Sequence, residues 1–267
     1  MTMPTSRESN KAGSGLADAS KLPTPEISVV VPVRNEAENI APLIAEIRRA
    51  LNGGAPFEIV YVDDGSNDAT PERLREAIAG NPCLRVVRHR KSCGQSAAIA
   101  TGVRTARAAA IVTLDGDGQN DPADIPRLLS VFNKAGDKDM LLVAGFREKR
   151  KDSPVKRVSS VIANRVRSAM LGDDTPDTGC GLKAFSRSAF LDMPRFDHMH
   201  RFLPALMLRR GGAVVSIVVN HRARQRGTSN YGVLDRLWVG IVDLFGVIWL
   251  RRRAVIPEIE QSEEPER

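Results

Sequence analysis

Two aspartates one residue apart form the most chemically suggestive part of this chain. Asp115 and Asp117 follow an apolar run, Ala108–Leu114, that is typical of a buried strand. Open α/β sheets bind ligands at the carboxyl ends of such strands, and carboxylate oxygens bind hard divalent cations, which in turn hold diphosphates. The neighbouring Gly116 and Gly118 leave space for both. A solvated acidic turn is the alternative that this motif alone leaves open.

Two earlier polar clusters also follow predicted strands. The β-branched runs Ile27–Val33 and Phe57–Val62 lead into Arg34–Ile40 and Asp63–Asp68, respectively. Each cluster alone fits an ordinary polar turn between a strand and a helix. Together with the two aspartates, they place acids from three strand ends at one edge of a sheet, where arginines of later loops can hold phosphate oxygens. The sequence therefore predicts a site for a nucleotide diphosphate and a metal ion.

Strands alternate with amphipathic helices through the first half of the chain. This alternation predicts an α/β fold, with a Rossmann-like, mainly parallel sheet and helices on both of its faces. Pro32 has no amide hydrogen to donate, so the first strand is expected to end or to reach a sheet edge there. The apolar face of the first predicted helix consists of Ile40, Leu43, Ile44, Ile47 and Leu51. The other predicted elements are the strands 84–88, 140–145 and 214–219 and the helices from 70, over 97–108, over about 158–171 and over 198–210.

The overall charge of the chain indicates a polyanionic partner. The net charge is +7 and the pI is about 9.7. Nucleic acid is disfavoured as that partner, because aromatic residues make up only 4% of the chain and no helix-turn-helix or zinc-finger signature is present. The P-loop and GxGxxG patterns are also absent. Cys83, Cys93 and Cys180 form neither a disulfide framework nor a CxxC site, which predicts a reducing cytoplasm, and no secretory signal begins the chain.

The most apolar segment, Leu234–Leu250, is predicted to form an amphipathic helix. Its 17 residues would extend ~25 Å, less than the ~30 Å hydrocarbon core of a bilayer, and Asp243 lies within it. The triplet Arg251–Arg253 follows directly, where it would meet anionic head groups. We therefore expect a helix that lies in the membrane interface. The predicted organisation is a disordered tail over 1–25, a catalytic domain over 26–232, the interfacial helix over 233–253 and an acidic tail over 254–267.

Several ordered motifs resemble those of family 2 glycosyltransferases with a GT-A fold. The resemblance covers roughly residues 26–253 and is closest to the polyprenyl-phosphate branch, which includes the dolichol-phosphate mannose synthases and the dodecaprenyl-phosphate galacturonate synthases. The motifs that carry it are Val30–Glu36, Val62–Asp68, Asp115–Gln119, Asp177–Gly181, His200–Pro204 and Arg224–Tyr231.

The resemblance implies a role for particular residues at each of these motifs. The residues implied to bind the donor nucleotide are Pro32, Arg34, Glu36, Asp64 and Asp115. Those implied to hold Mg²⁺ or Mn²⁺ are Asp115, Asp117 and Gln119. The implied catalytic residues are Asp117, Arg147 and Arg224, and Arg224 and Ser229 are implied to bind the acceptor phosphate. Arg201 and Lys183 are further candidates for that phosphate, and a loop lysine that only faces solvent is an equally good interpretation of Lys183. Two positions depart from the family pattern: Arg34 stands where many members have an aromatic residue, and Asn230 where most have lysine.

The same resemblance implies the reaction. A metal-dependent, inverting transfer would move a sugar from a nucleotide-diphosphate sugar, with UDP favoured, to a polyprenyl phosphate, for envelope glycan or lipid A modification. The expected location is the cytoplasmic face of the inner membrane, as a peripheral or monotopic protein. A sugar-nucleotide nucleotidyltransferase and a GDP-mannose-using mannosyltransferase are the alternatives, and a homo-oligomer is left open. His200 and His221 fit contact with the acceptor or a purely structural role.

Overall fold

A seven-stranded mixed sheet organises the part of the chain that the computed structural model describes. That part comprises residues 23–148, 167–168, 170–223 and 233–256, with side chains in the last range described from residue 240. The strands are β1 Ile27–Val33, β2 Phe57–Asp63, β3 Leu84–Arg88, β4 Ala110–Thr113, β5 Leu141–Phe146, β6 Lys183–Ser186 and β7 Ala213–Val218. The helices are α1 Ile40–Leu51, α2 Thr70–Ala79, α3 Gln95–Thr105, α4 Ile125–Asn133, α5 Arg187–Leu191, α6 Leu203–Arg209 and α7 Val233–Arg252.

The strand order is β3-β2-β1-β4-β6-β5-β7, and only β6 runs against its neighbours. The prediction of a mainly parallel sheet is therefore confirmed. Val30 of β1 pairs with Val60 of β2 and Thr113 of β4, so these three strands end at the same edge. Because β6 is antiparallel, its first residue, Lys183, pairs with Thr113 and enters the sheet at that edge too.

Side chains that alternate along the strands bury two apolar layers. Val29 and Val31 pack in one layer with α1, α2 and α4, whereas Val30 and Val62 pack in the other with α3, α5, α6 and α7. Helices therefore cover both faces, as predicted. All five apolar-face residues of the predicted first helix are buried in α1.

Pro32 lies near the end of β1, beyond the last residue of this strand that pairs with β4. The carbonyl of Val30 accepts the last hydrogen bond from the β4 side, at 3.2 Å from the Leu114 amide. The carbonyl of Val33 accepts from the Asp64 amide on the β2 side. Since alternate residues face alternate neighbours, the missing amide hydrogen of Pro32 falls on the side that β4 has left. The strand thus reaches a local edge at Pro32, as expected, and continues for one residue more.

Several element boundaries differ from the predictions for identifiable reasons. Helix α3 ends before residue 106 because the Arg107 amide donates to the Glu58 carboxylate at 2.6 Å instead of continuing the helix. Strand β4 begins only at residue 110, since the Ala108 amide donates to the Ser28 hydroxyl at 3.1 Å. The predicted helix over 198–210 is a 3-10 turn, Met199–Arg201, followed by α6. Strand β6 and helices α4 and α5 were not predicted. Most of the predicted helix over 158–171 lies outside the described residues.

Helix α7 is present, but its apolar residues occupy two faces. Leu244, Val247 and Ile248 pack into the layer formed with α6. Phe245 and Trp249 are 61% and 60% exposed on the outer face. The outer apolar residues are Ile241, Val242, Phe245 and Trp249. No helix in the described ranges is long and apolar enough to cross a membrane.

Asp243, an acid within this helix, contacts another part of the domain. Its carboxylate lies 3.1 Å from Nδ1 of His198 and is partly buried. Asp243 therefore joins α7 to the turn that carries His200, and much of the solvent-facing surface of the helix is apolar.

Candidate active site

The loop after β4 folds back on itself and brings its polar groups to the sheet edge. The Asp115 amide donates to Oδ1 of Asn120 at 3.1 Å, and the Gln119 amide donates to Oδ1 of Asp117 at 3.1 Å. Gly118 adopts φ +73°, a left-handed conformation that closes this tight turn. Asp115, Asp117 and Gln119, the three predicted metal-site residues, are thus held within one compact turn.

The surroundings of Asp115 disfavour ionisation of its carboxyl group in the folded protein. Burial and the nearby negative charge of Asp117 together raise the pKa of its carboxyl to about 6, against the opposing effects of Lys183, Arg147 and Gln95. Gln95, at the start of α3, donates to Oδ1 of Asp115 at 2.8 Å. Two carboxylates in these surroundings favour a bound cation, because a cation would remove the repulsion between them.

Gly181 forms the wall of this site next to Asp115. A Cβ at this position would overlap the Asp115 carboxylate, so only glycine fits while that carboxylate keeps its place. The Thr113 hydroxyl donates to the Gly181 carbonyl at 2.7 Å and fixes the wall to β4. The glycine of the Asp177–Gly181 motif is therefore required by a close approach to the acid.

Lys183 lies beneath the same wall. Its side chain is buried, and its ammonium donates to the carbonyls of Cys180 and, at 3.4 Å, Thr178. Burial lowers the pKa of this lysine, although the charges around Cys180, Asp115 and Asp177 oppose that shift. The structure thus places the predicted acceptor ligand Lys183 under the loop, where it supports the wall and adds positive charge near Asp115.

Arg147, a predicted catalytic residue, follows β5 and is held by Asp177. Its Nε donates to Oδ2 of Asp177 at 2.5 Å and its Nη2 donates to Oδ1 at 2.9 Å, a two-point ion pair with both side chains largely buried. The positive charge of Arg147 lowers the pKa of Asp115, so the arginine acts on the site across a short distance. Its orientation is set by the carboxylate of Asp177.

Asp64, a predicted nucleotide ligand at the end of β2, is surrounded by donors. Its Oδ1 accepts from the Cys93 amide at 2.8 Å and lies 2.7 Å from Nδ1 of His89. Its Oδ2 accepts from the Ser92 hydroxyl at 2.7 Å and from the Gly94 amide at 2.9 Å. Burial alone would raise the pKa of this carboxyl, but these hydrogen bonds outweigh it and lower the pKa. Asp64 therefore organises the loop that leads into α3.

His89, Cys93 and Asp64 also present ligand atoms within 4.8 Å of one another, a spacing that a metal ion could bridge. Both ring nitrogens of His89 already have partners, however. Nδ1 faces Asp64, and Nε2 lies 2.9 Å from the Thr101 hydroxyl. This arrangement fits loop closure, and we place the candidate metal site at the turn after β4.

The loops after β1 and β2 are tied together beside Glu36, another predicted nucleotide ligand. Asn35, at φ +58°, donates from its amide to the Ser66 hydroxyl at 2.9 Å, and the Glu36 amide donates to the Thr70 hydroxyl at 2.9 Å. Pro32 is buried and Arg34 is exposed. A cavity of about 470 Å³ opens beside these loops. It is lined by Asn35, Glu36, Ala37, Glu38, Asn39, Asp68, Ala69 and Arg73.

His200 and Arg201 lie on the other side of the site, next to the start of α3. Nδ1 of His200 is 2.7 Å from the Ser96 hydroxyl. Burial and the charges of Lys183, Arg201 and His198 together lower the pKa of His200 to about 3. The imidazole is therefore neutral at physiological pH and supplies no positive charge to an acceptor phosphate. Arg224 and Ser229, the remaining predicted ligands, lie outside the described residues.

Sequence reasoning missed the roles of Gln95 and Asn120 and the contact between Asp121 and Arg222. Asn220, His221 and Arg222 pack against the loop after β4. A polar residue at a helix start was the only signal for Gln95. The contact between residues 121 and 222 joins positions about a hundred apart in sequence, and no local pattern marks it.

Residues 28–193 match the model for glycosyl transferase family 2. The chain belongs to this family. The match spans β1 through α5 and includes the loop after β4 and the wall formed by Gly181, which confirms the family suggested by the motifs.

Curated relatives of this glycosyltransferase have names that specify a polyprenyl phosphate. The chain is 35% identical over 240 residues to the dodecaprenyl-phosphate galacturonate synthase of Rhizobium johnstonii, a match that covers 87% of this chain and 69% of that protein. It is 35% identical over 211 residues to the undecaprenyl-phosphate 4-deoxy-4-formamido-L-arabinose transferase of Edwardsiella ictaluri, covering 78% of this chain and 63% of the relative. The chain thus spans about two thirds of the length of these relatives.

Solved structures confirm the predicted GT-A fold. The glucosyl-3-phosphoglycerate synthase of Mycobacterium tuberculosis, in complex with Mn²⁺, UDP and phosphoglyceric acid, superposes with a TM-score of 0.64 at 22% sequence identity. The alignment covers 88% of this chain and 80% of that one. The same enzyme with Mg²⁺ and UDP gives a TM-score of 0.63. At this identity the likeness establishes the fold.

Proposed function

We propose that this glycosyltransferase moves a sugar from a nucleotide-diphosphate sugar, with UDP favoured, to a polyprenyl phosphate. One observation carries the proposal: Asp115 and Asp117 sit together at the end of β4, where burial and mutual repulsion raise the pKa of Asp115 to about 6. Relatives named for transfer to dodecaprenyl and undecaprenyl phosphate support the choice of acceptor. The catalytic domain is proposed to span residues 26–232, followed by an interfacial helix over 233–253.

The residues of the turn after β4 fit a divalent cation. Asp115, Asp117 and Gln119 offer only oxygen ligands, which suit Mg²⁺ and Mn²⁺. These residues would hold the ion, whose charge offsets that of the diphosphate leaving group when it is bound. Gly181 keeps the Asp115 carboxylate accessible, and Gln95 fixes its Oδ1.

The proposed reaction requires no dedicated base. A phosphate monoester has its second pKa near ~6, so the acceptor is largely dianionic at neutral pH. An acceptor oxygen forms a bond to the anomeric carbon while the bond from that carbon to the diphosphate oxygen breaks, and the nucleoside diphosphate leaves with the electron pair. Direct displacement inverts the anomeric centre. With its pKa lowered to about 3, His200 is a poor proton acceptor, which agrees with a scheme in which no proton has to be removed.

The other residues of the site have separate roles in this proposal. Arg147, oriented by Asp177, and Arg224 hold phosphate oxygens of the donor and acceptor, while Arg201 and Ser229 bind the acceptor phosphate. Lys183 acts from beneath the wall, through its charge and its bonds to loop carbonyls. Pro32, Arg34, Glu36 and Asp64 shape the nucleotide pocket. Aligned reactants of this kind lower the barrier mainly by fixing orientation.

Substitution of Asp117 tests this function. Asp117→Ala is expected to reduce the formation of lipid-linked sugar by roughly 100- to 1000-fold, the loss seen when a charge-stabilising group is removed from an active site. The assay offers undecaprenyl phosphate with UDP-glucose, UDP-galacturonate and GDP-mannose, and mass spectrometry identifies the lipid product and the sugar. Asp192→Ala, an exposed acid at the end of α5, serves as the matched control. Unchanged product formation by Asp117→Ala contradicts the proposal, as does synthesis of a nucleotide sugar from a sugar phosphate and a nucleoside triphosphate.

Helix α7 is proposed to bind the cytoplasmic face of the inner membrane. Its outer apolar residues could enter the interface while Arg251–Arg253 meet anionic head groups. Deletion of the helix would expose the core around Val247, so substitutions on the outer face are the cleaner test. Phe245→Gln with Trp249→Gln is expected to shift the protein from the pellet to the supernatant after sedimentation with phosphatidylglycerol vesicles. Ile78→Gln on α2 is the control, and equal sedimentation of both proteins contradicts the interfacial role.

A further inference from the structure

Ion pairs connect the loop after β4 to the segment that follows β7. Arg222 donates through Nη2 to Oδ1 of Asp121 and through Nη1 to Oε2 of Glu46, each at 2.6 Å. Oδ2 of Asp121 accepts from the side-chain amide of Asn220 at 2.9 Å. In the sheet, β6 and β5 separate β4 from β7. The connection is therefore made outside the sheet, between segments that the strand order keeps apart.

The backbones of the two segments are also joined by hydrogen bonds. Asn120 and His221 form an antiparallel bridge, and the Arg222 amide donates to the Gln119 carbonyl at 3.0 Å. The Asn220 amide donates to Oδ2 of Asp124 at 2.7 Å. Side chains and main chain thus fix the position of the turn containing Gln119 relative to Arg222.

The arrangement around Arg222 is more than a surface ion pair. The Arg222 side chain is 33% exposed, and its partners Glu46 and Asp121 are 30% and 12% exposed. One planar guanidinium joins carboxylates from α1 and from the loop after β4, a geometry that the single ammonium of lysine does not reproduce. Exposed pairs contribute little, whereas pairs that share partners in a network couple more strongly.

We propose that Asp121 and Arg222 are positioning residues that hold the metal-binding turn in place against α1 and the segment after β7. This inference rests on the proposed function, because that function assigns Gln119 to the metal site. The Arg222 amide donates to the Gln119 carbonyl, and the Arg222 guanidinium pairs with Asp121, two residues after Gln119 in sequence. Loss of these contacts would let the turn move, and displacements of about 1 Å are enough to weaken such sites severely.

Binding of Mn²⁺ and UDP to the full chain tests this role without requiring turnover. Arg222→Met is expected to weaken the affinity for UDP in the presence of Mn²⁺ about tenfold in isothermal titration calorimetry. Arg222→Lys keeps the charge and is expected to lose less. The double variant Asp121→Asn with Arg222→Met is expected to be no weaker than Arg222→Met alone, because both changes break the same contact.

Arg85→Met supplies a matched control at the opposite edge of the sheet. Arg85 is 32% exposed and likewise joins two partners, the Glu58 carboxylate at 3.0 Å and the Thr105 carbonyl at 2.7 Å. Its substitution is expected to lower the melting temperature as much as Arg222→Met does, with the affinity for UDP and Mn²⁺ unchanged. Wild-type affinity in Arg222→Met, or equal losses in both variants, overturns the proposal. A wild-type protein that binds UDP and Mn²⁺ but transfers nothing to polyprenyl phosphate contradicts the proposed function alone.

Discussion

The acids after β2 and those after β4 occupy equivalent places at one edge of the sheet, yet the protein treats them in opposite ways. Asp64 accepts hydrogen bonds on both oxygens from the loop that leads into α3, and these bonds lower its pKa. Asp115 has Gln95 as a side-chain donor, while burial and Asp117 raise its pKa to about 6.

This difference in hydrogen bonding and pKa distinguishes a carboxylate that stabilises the fold from a pair of carboxylates suited to bind a ligand. A carboxylate whose acceptor positions are filled by its own chain stabilises the ionised, folded state and needs no ligand. The negative charge of Asp117 raises the pKa of the neighbouring Asp115, and a bound cation would remove this repulsion. By this criterion the hydrogen bonds of Asp64 stabilise the loop around the site, and we propose that Asp115 and Asp117 bind the cation.

Gly181→Ala is expected to have the largest effect, because it changes the wall next to Asp115. The new Cβ would overlap the Asp115 carboxylate and displace it, so the affinity for Mn²⁺ should fall about 100-fold, or ~2.7 kcal/mol. Electron paramagnetic resonance of free Mn²⁺ measures this. Gly80→Ala, where a Cβ meets nothing within 4 Å, is the control. An affinity within about twofold of wild type would show that the cation does not depend on Asp115 in this orientation.

Asp64→Asn is expected to affect stability and leave the Mn²⁺ affinity nearly unchanged. The amide keeps one acceptor oxygen and turns an NH₂ group toward two donors, which should cost about 2 kcal/mol of unfolding free energy. Urea denaturation measures the loss, with the exposed Asp174→Asn as the control. Wild-type stability of Asp64→Asn would contradict the assignment of Asp64 to loop architecture.

Asp115→Asn is expected to have the opposite and smallest effect, a gain of about 1 kcal/mol in the unfolding free energy near pH 7.5 with chelator present. The pKa of Asp115 in the folded protein, about 6, exceeds the ordinary value of 3.8. The folded state therefore binds this proton more tightly, and ionisation destabilises it above about pH 6. The gain should shrink as the pH falls from about 6 and vanish near pH 4. A gain that is independent of pH would contradict this origin.

Much of the fold was predictable because the buried strands are continuous apolar runs and α1 has a clear apolar face. Strand β6 escaped prediction because its four residues, which begin with the charged Lys183, show no strand pattern. The same strand explains why Lys183 lies under the loop, a position that its sequence neighbours do not predict: β6 enters the sheet antiparallel at the site edge and buries this lysine. Local spacing predicts Asp115 and Asp117 as a metal site, and the structure holds both residues in one turn at the sheet edge. The contact between Asp121 and Arg222 depends on strand order, which local patterns do not encode.

The most direct test of the contrast is a Mn²⁺ titration of three proteins under one condition, followed by electron paramagnetic resonance near pH 7.5. The wild type and Asp64→Asn are expected to bind one Mn²⁺ with similar affinity, while Asp117→Asn is expected to bind at least about 100-fold more weakly. Tight binding by Asp117→Asn, or loss of binding in a folded Asp64→Asn, would place the cation elsewhere and contradict the assignment of the metal site to the turn after β4.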